Sequence, residues 1–188
     1  MLTLVRNVKQ PIIYTLCALA VFIANNIAST NIVFANTQNE AVLINKYRNW
    51  SVYKGPNNIY FIASKAEHQT GTYSKRETPF LMVTDFGNNN VEVSVYIGYT
   101  CKSGTPVSGT AYLSYTDQTN TQSFTMHSSG ERAWVKGEND QDIIALFKKG
   151  AKVKIAAESY KGTNSIDTYS LNGFFDAYRT LLEARKTS

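Results

Sequence analysis

The sequence predicts a mainly β protein, an antiparallel sandwich or barrel accompanied by two helices. Apolar and polar residues alternate over several short stretches after Trp50, most clearly over residues 91–97. This period of two is expected of strands with one buried face. Turn sequences rich in glycine and asparagine separate these stretches, for example residues 55–58 and 87–90. Short strands joined by such turns are typical of antiparallel sandwiches and barrels.

The predicted strands follow this alternation and short apolar runs along the chain. Residues 152–157 repeat the pattern of residues 91–97, with lysines on the outer side. The final 28 residues begin with a turn and a strand, which a helix follows. The other predicted strands are residues 50–53, 59–63, 80–83, 111–115, 124–126 and 133–135.

Two stretches have the helical spacing of apolar residues instead. The first is predicted to begin after Asn139 as N-cap, and Gly150 provides its C-terminal stop. Asp140 and Asp142 in its first turn and Lys148 and Lys149 in its last turn oppose the helix dipole. Its apolar stripe is Ile143, Leu146 and Phe147, and that of the second helix is Phe174, Ala177, Tyr178, Leu181 and Leu182.

The N-terminal part has the pattern of a secretory signal. Arg6 and Lys9 precede an apolar run over residues 12–24, which is too short to cross a bilayer, since that requires about 20 helical residues. Residues 1–35 are therefore predicted to be a cleavable signal peptide, cut before Asn36. A cut after Ser29 and an uncleaved anchor are the alternatives. Residues 36–49 are interpreted as a lead-in segment that could contain one short helix, and residues 50–188 as the domain.

Charge and cysteine content exclude several classes of function. The formal net charge is +5, and the predicted signal removes two of the basic residues. The remaining chain has no block of like charges, so the sequence does not indicate a nucleic-acid partner. Cys17 lies in the signal, which leaves Cys101 as the one unpaired thiol. One cysteine supports neither a disulfide framework nor a cysteine-based metal site. We expect it to be buried and inert, the alternatives being a dimer bridge or a reactive group.

A series of short motifs over residues 50–182 occurs in a definite order. At its end lie Gly162-Thr163, then DTYSL at residues 167–171, then Gly173-Phe174 and Ala177. These motifs resemble the C-terminal signature of the invasion-associated locus B family, exported proteins of alphaproteobacteria. Upstream motifs that agree are residues 49–52 (NWSV), 59–64 (IYFIAS), 75–76 (KR), 79–84 (PFLMVT), 92–94 (EVS), 98–99 (GY), 133–134 (AW), 143–147 (IIALF) and 148–150 (KKG).

The resemblance implies a periplasmic or envelope-associated protein with an immunoglobulin-like β-sandwich and no attached reaction. The family is named for a contribution to host-cell invasion. The chain lacks the cysteines that the family has near Tyr53, at Ile59 and near Ala184, and disulfides typically contribute about 2–4 kcal/mol each. The family-motif residues to which the resemblance gives a structural role are Trp50, Gly98, Trp134, Gly162, Asp167, Tyr169 and Gly173.

Residues that could carry chemistry are few. Cys101 with His68 or His127, oriented by Asp85 or Asp117, would need hydrogen-bond reach between thiol and imidazole. No nucleophile motif surrounds Cys101, and two histidines do not complete a metal site. The sequence therefore predicts no catalytic residue, no metal and no cofactor. We interpret the family-motif acid Asp167 as a structural hydrogen-bond acceptor near the last turn, and residues 75–76 as a solvated loop or as a basic patch for anionic lipid or glycan.

Tyrosine is abundant, with 12 in the chain. Tyr96, Tyr99, Tyr112 and Tyr115 lie along or beside predicted strands, where exposed rings would form a recognition face for protein or glycan. The ordinary β-preference of aromatic residues explains them equally well. The function predicted is a non-enzymatic exported binding module with a protein or surface-glycan partner and no mature transmembrane helix. The alternatives are a thiol- or histidine-dependent hydrolase or thiol exchanger, and a purely structural envelope protein.

Overall fold

The computed structural model describes residues 40–73, 75–88, 90–135 and 139–186, so the predicted signal peptide and cleavage site lie outside the described residues. In these ranges the chain is mainly β, with two helices packed against one sheet. The elements are β1 (Val42–Tyr47), β2 (Trp50–Lys54), β3 (Tyr60–Lys65), β4 (His68–Thr70), β5 (Phe80–Asp85), β6 (Val91–Tyr96), β7 (Val107–Tyr112), β8 (Thr121–Ser129), β9 (Arg132–Val135), α1 (Asp140–Lys149), β10 (Lys152–Glu158), β11 (Asn164–Ser170) and α2 (Phe174–Lys186), with a short 3₁₀ turn at Pro56–Asn58.

The eleven strands form one continuous antiparallel sheet in the order β1-β2-β3-β5-β6-β9-β8-β7-β10-β11-β4. Only two residues, Ala66 and Glu67, separate β3 from β4, although β4 is the far edge of the sheet. The sheet must therefore curl until its β11–β4 end returns to β3, and the backbone N–H of Glu67 donates to the Thr168 carbonyl at this junction. A two-sheet immunoglobulin-like sandwich is not confirmed.

The alternation read from the sequence determines which face of the curl each side chain occupies. In β6, Val93 and Val95 face the interior, and in β10 Val153 and Ile155 do so. The predicted turn between β5 and β6 is confirmed, since Gly87 has φ of 86° and Asn88 has φ of 54°. Such positive φ angles explain the glycine and asparagine of this hairpin.

Both helices fill the concave side of the curl with aromatic side chains. Phe174 of α2 contacts Trp50 edge-on, with ring centroids 4.9 Å apart, and contacts Phe147 of α1 at 5.5 Å. Phe147 also meets Phe124 of β8 at 6.0 Å. The rings of Trp50, Phe147 and Phe174 are fully buried and that of Phe124 is partly buried, so together they remove a large apolar area from water and anchor both helices to the sheet. No helix in the part of the chain that is described is long and apolar enough to span a membrane.

Three local predictions were wrong. The lead-in segment contains strand β1 rather than a helix, because residues 42–47 pair with β2. The side chain of Asn139 makes no capping hydrogen bond, and instead Asp140 accepts one from the backbone N–H of Val93 at 2.7 Å. This hydrogen bond ties α1 to β6, and the charge of Asp140 also opposes the helix dipole. Leu182 is 36% exposed, so the buried stripe of α2 ends at Leu181.

Candidate functional site

Arg76, in the loop before β5, lies in a buried ion pair. The guanidinium of Arg76 meets the carboxylate of Asp167 through two parallel hydrogen bonds, Nη1 to Oδ1 at 2.8 Å and Nη2 to Oδ2 at 2.5 Å. Both side chains are 1% exposed. Nε donates to the carbonyl of Ile97 at 2.8 Å, and Nη1 also donates to the hydroxyl of Tyr73 at 3.3 Å. Arg76 is therefore neither solvated nor part of a surface patch.

Charge and burial act against each other in this pair. Burial alone would lower the pKa of Arg76, but the hydrogen bonds with Asp167 and Tyr73 outweigh it and raise the pKa. Burial raises the pKa of Asp167, although the hydrogen bonds and the positive charge of Arg76 oppose this rise. Four of the five guanidinium donor positions are directed at fixed acceptors. Asp167 was predicted to accept a structural hydrogen bond near the last turn. Its actual partner is Arg76, which links β11 to the loop before β5.

Tyr99 and Gly98 complete this cluster. The Tyr99 ring lies 4.9 Å from the guanidinium carbon of Arg76, and its hydroxyl hydrogen-bonds to Ser165 at 2.6 Å. Gly98 has φ of 82°, and a Cβ there would collide with the carbonyl of Glu77. The backbone N–H of Glu77 donates to the carbonyl of Gly98 at 3.1 Å. Only glycine combines that angle with that approach. Every contact in the cluster is internal, so its role is to hold the loop.

Cys101 lies at the margin of the same cluster and is buried, at 7% exposure. Burial raises the pKa of its thiol to about 11, although the positive charge of Arg76 acts in the opposite direction. A thiol with a raised pKa is protonated at neutral pH and is a poor nucleophile.

Neither histidine is hydrogen-bonded to Cys101 in the described part of the chain, and Asp85 has a different role. His68 on β4 and His127 on β8 are both exposed, and His127 contacts the ring of Trp134 edge-on at 5.6 Å. No hydrogen bond joins Cys101 to either imidazole within the described ranges. Asp85 accepts a hydrogen bond from the N–H of Gly87 at 2.7 Å and so stabilises a turn. Among the described residues, no group of three or more His, Cys, Asp and Glu is placed to hold a metal ion.

The four tyrosines predicted to form a recognition face have different environments. Tyr96 is 7% exposed, and its hydroxyl hydrogen-bonds to Glu77 and Glu131. Burial and these carboxylates raise its pKa. Tyr99 belongs to the buried cluster. Tyr112 is half-buried beneath the amino groups of two lysines, and Tyr115 is 62% exposed. Tyr96 and Tyr99 thus make internal contacts and do not form a recognition face. The prediction differed because strand alternation alone does not show what covers a side chain.

A different aromatic surface lies on the convex face of the sheet, over β2, β3, β5 and β6. One cross-strand row consists of directly opposed residues, Lys65, Phe80, Tyr96 and Arg132. The terminal cations of this row lie over its rings, Lys65 Nζ at 5.8 Å from the centre of Phe80 and the Arg132 guanidinium at 5.9 Å from that of Tyr96. A second aromatic row, separated from the first by the row of Ser51 and Ala63, contains the stacked pair Tyr53 and Phe61.

Between these rows lies a cleft of about 310 Å³, which we call the basic cleft. Ser51 and Ala63, directly opposed on β2 and β3, form its floor. Because both are small, the rings of Tyr53 and Phe80 stand above the floor as walls. The rim carries Lys46, Arg48, Lys65, Asn49, Ala66 and Glu67.

The rim combines cations outside any ion pair with a fixed polar pair. Lys46, Arg48 and Lys65 are exposed, and no salt bridge within the described ranges uses them. The amide of Asn49 donates to the carboxylate of Glu67 at 2.8 Å, which holds both groups in place. Arg48 occupies the β1–β2 turn with φ of 54°, a left-handed conformation that is uncommon for arginine. Such local strain is often found at functional sites.

Part of the signal for this cleft is present in the sequence. Alternation in β2 and β3 places Ser51, Tyr53, Ala63 and Lys65 on one face. Cross-strand neighbours, however, depend on the register of β2, β3 and β5, and on the β1 hairpin, which was assigned to a lead-in segment. The cleft was therefore missed.

Four of the residues to which the resemblance gave a structural role lie at buried or turn positions. Trp50 is fully buried and donates from Nε1 to the carbonyl of Ser170 at 3.0 Å. Gly173 has φ of 91°, and a Cβ there would collide with the carbonyl of Tyr47. Gly162 has φ of 83° in the turn before β11. The hydroxyl of Tyr169 is buried and has no hydrogen-bond partner among the described residues.

The fold is similar to a solved structure, that of invasion associated protein B from Bartonella henselae. The similarity covers 77% of this chain and 99% of that chain, with a TM-score of 0.53 and 15% sequence identity. At this identity the similarity extends to the fold alone. No protein-family model matches the sequence. No curated protein matches it either. The class established is thus a mainly β protein with a curled eleven-stranded sheet and two helices.

Proposed function

We propose that this chain is a non-enzymatic binding module of the cell envelope, and that the basic cleft binds the acidic sugars of a surface glycan. The observation that carries the proposal is the composition of the cleft, in which two aromatic walls, a floor of small residues and three cations converge. The signal pattern at residues 1–35 supports export. The ordered motifs and the similar fold of the Bartonella protein support membership of the invasion-associated locus B family.

Each part of the cleft matches a part of an acidic sugar. The half-buried ring of Phe80 and the small exposed part of Tyr53 border the cleft, where they would contact the C–H groups of a sugar ring. The fixed pair of Asn49 and Glu67 offers a donor and an acceptor for hydroxyls. A carboxylate or phosphate on the sugar would meet Arg48 and the two lysines, and arginine can bind such groups through two parallel hydrogen bonds.

Catalysis by the thiol or by the histidines receives no support from the geometry. Burial and the raised pKa of Cys101 disfavour a thiolate, and both imidazoles lie on exposed strands without a hydrogen bond to it. A purely structural envelope protein is the remaining alternative, and it predicts no saturable binding at the cleft.

The proposal is tested by calorimetric titration of the chain from Asn36 with oligogalacturonate, a sugar phosphate and an uncharged oligosaccharide of equal length. Arg48→Asn removes the charge from the turn while keeping a residue that tolerates positive φ. We expect this change and Lys65→Gln to weaken acidic-sugar binding roughly tenfold or more each, since a charge-assisted hydrogen bond contributes about 1.5–3 kcal/mol. Added salt should weaken it further.

The matched control is Lys154→Gln, the same charge change at a lysine over Tyr112, away from the cleft. We expect less than about a twofold effect from it, roughly the scale of a weak ion pair, because this lysine does not line the cleft. Equal binding of the uncharged oligosaccharide, equal weakening by the control, or no binding of either acidic ligand would refute the proposal. The carboxylate and phosphate ligands together distinguish the two kinds of acidic sugar.

A further inference from the structure

Helix α2 exposes two large apolar side chains beside its buried stripe. Phe175 is 56% exposed and Leu182 is 36% exposed. They are seven residues apart, which is about two helical turns, so both lie on one face of the helix. The residues of α2 that pack inward are Phe174, Ala177, Tyr178 and Leu181. Packing of α2 on the sheet therefore does not account for the exposed pair.

Helix α1 places positive charge on one side of this apolar pair. Tyr178 lies three residues after Phe175 and four before Leu182, so it is the helical neighbour of both. The amino group of Lys148 lies over the ring of Tyr178, with Nζ 4.5 Å from the ring centre. Lys148 and Lys149 end α1, and both are exposed. Both acids of α1 lie in its first turn, at the opposite end from these lysines.

Cations also border the pair on α2 itself. Arg179 lies four residues after Phe175, and Lys186 lies four residues after Leu182, where α2 ends. Both cations are exposed. The two acids of α2 form ion pairs with Arg179, at 3.2 and 4.0 Å. No salt bridge within the described ranges uses Lys186 or the two lysines of α1. The surroundings of the apolar pair are therefore basic.

We propose that this surface docks on a membrane rich in anionic lipid. We call it the basic helical face, formed by Lys148, Lys149, Phe175, Leu182 and Lys186. An apolar pair bordered by cations matches the chemistry of such a membrane, in which apolar chains lie beneath anionic headgroups. The two apolar side chains enter the boundary between headgroups and chains, and the lysines meet the lipid phosphates. Docking is reversible, because two side chains insert far less apolar surface than a spanning helix.

Docking by the basic helical face directs the basic cleft away from the membrane. Helix α2 packs on the concave side of β2 and β3. The cleft lies on the convex side of the same two strands. The two surfaces are thus on opposite faces of the sheet. The membrane inference does not rest on the glycan proposal, and either can fail without the other.

Cosedimentation with lipid vesicles tests the inference, using the chain from Asn36, which contains every described residue. One set of vesicles mixes phosphatidylglycerol with phosphatidylcholine, and the other is phosphatidylcholine alone. We expect at least about tenfold stronger binding to the anionic vesicles, and weaker binding as salt is added. Lys148→Gln and Lys186→Gln should each weaken that binding roughly fivefold. Phe175→Ala should weaken it by at least about as much, because it removes the larger inserted side chain.

The matched controls are Lys161→Gln and Tyr160→Ala. They remove an exposed lysine and a ring that is 63% exposed. Both lie in the turn between β10 and β11, at the end of β11 that is away from α2. We expect less than about a twofold effect on vesicle binding from each.

A second readout reports contact with the lipid chains. With brominated anionic lipid, Phe175→Trp should show fluorescence quenching beyond that of the unsubstituted protein and its two tryptophans, whereas Tyr160→Trp should not. The inference is overturned by equal binding to neutral and anionic vesicles, by no binding to either, or by equal weakening in the controls. Absence of added quenching in Phe175→Trp would also overturn it. The vesicles contain no sugar, so these results leave the glycan proposal untouched.

Discussion

Replacing Asp167 by asparagine should lower the free energy of unfolding by about 3–5 kcal/mol, the range for a buried ion pair that loses one partner. Asparagine keeps the size of the side chain and one oxygen acceptor. It removes the charge that the guanidinium of Arg76 faces at 2.5 and 2.8 Å, with both side chains 1% exposed. Arg76 would remain charged and buried, with the carbonyl of Ile97 and the hydroxyl of Tyr73 as its other acceptors.

The magnitude of this destabilisation follows from the two hydrogen bonds that the carboxylate accepts. Charge-assisted hydrogen bonds contribute about 1.5–3 kcal/mol each, and asparagine replaces one of the two by a weaker bond to a neutral oxygen. The remainder of the destabilisation comes from the buried charge of Arg76, which no longer faces a carboxylate. At about 2–4 °C per kcal/mol for a domain of this size, the melting temperature should fall by roughly 10 °C.

Chemical denaturation monitored by tryptophan fluorescence measures the change, since Trp50 is buried. The matched control is Glu158→Gln, which removes an acid from the exposed pair with Lys102 at 2.8 Å. It should cost no more than about 1 kcal/mol. The double variant Arg76→Met with Asp167→Leu should recover most of the stability that Asp167→Asn removes. Equal effects of Asp167→Asn and Glu158→Gln would refute the reasoning that burial determines the cost.

Three further predictions concern single residues. Gly98→Ala should destabilise the protein by about 2–4 kcal/mol, against at most about 1 kcal/mol for Gly104→Ala. Both glycines have positive φ, but of the two only Gly98 has backbone atoms where the new Cβ would lie. Thermal unfolding compares the two variants. Trp50→Phe should cost about 2 kcal/mol, since it shortens a buried ring and leaves the Ser170 carbonyl without its donor, and denaturant titration measures it. The third is the pH dependence of Cys101 alkylation. The folded-state pKa of about 11 exceeds the unfolded value, so the thiol stays protonated in the folded protein while an unfolded chain ionises. Alkylation by iodoacetamide at pH 8 should be slow when folded and fast in denaturant, and stability should fall as pH rises from about 9 towards 11. Equal alkylation rates in the two states would contradict this last prediction.

Periodicity in the sequence predicted the strands whose stability comes from one buried face. β6 and β10 are such strands, with valines and isoleucines inside and polar or charged residues outside. β1 was missed, because its residues are exposed on both faces and it is held mainly by pairing with β2. Its sequence thus carries little of the information that makes it a strand.

Contacts between residues distant in the sequence determine the features that periodicity did not predict. Nothing local to Arg76 indicates burial, since its partner Asp167 lies 91 positions later. The basic cleft depends on the register of β2, β3 and β5, which alternation does not specify. Alternation assigns residues to faces, but the choice of neighbouring strands comes from the whole fold.

The short connection between β3 and β4 has a consequence for folding kinetics. Closing the curl requires β4 to meet β11, and the hydrogen bond from Thr70 to Ile166 joins residues 96 positions apart. Loop-closure entropy opposes such contacts until late, so we expect slow folding, on the scale of roughly milliseconds to seconds. Until β11 arrives, the edges of β10 and β4 remain open to pairing with other chains. A chain that ends before β11 therefore cannot close the sheet.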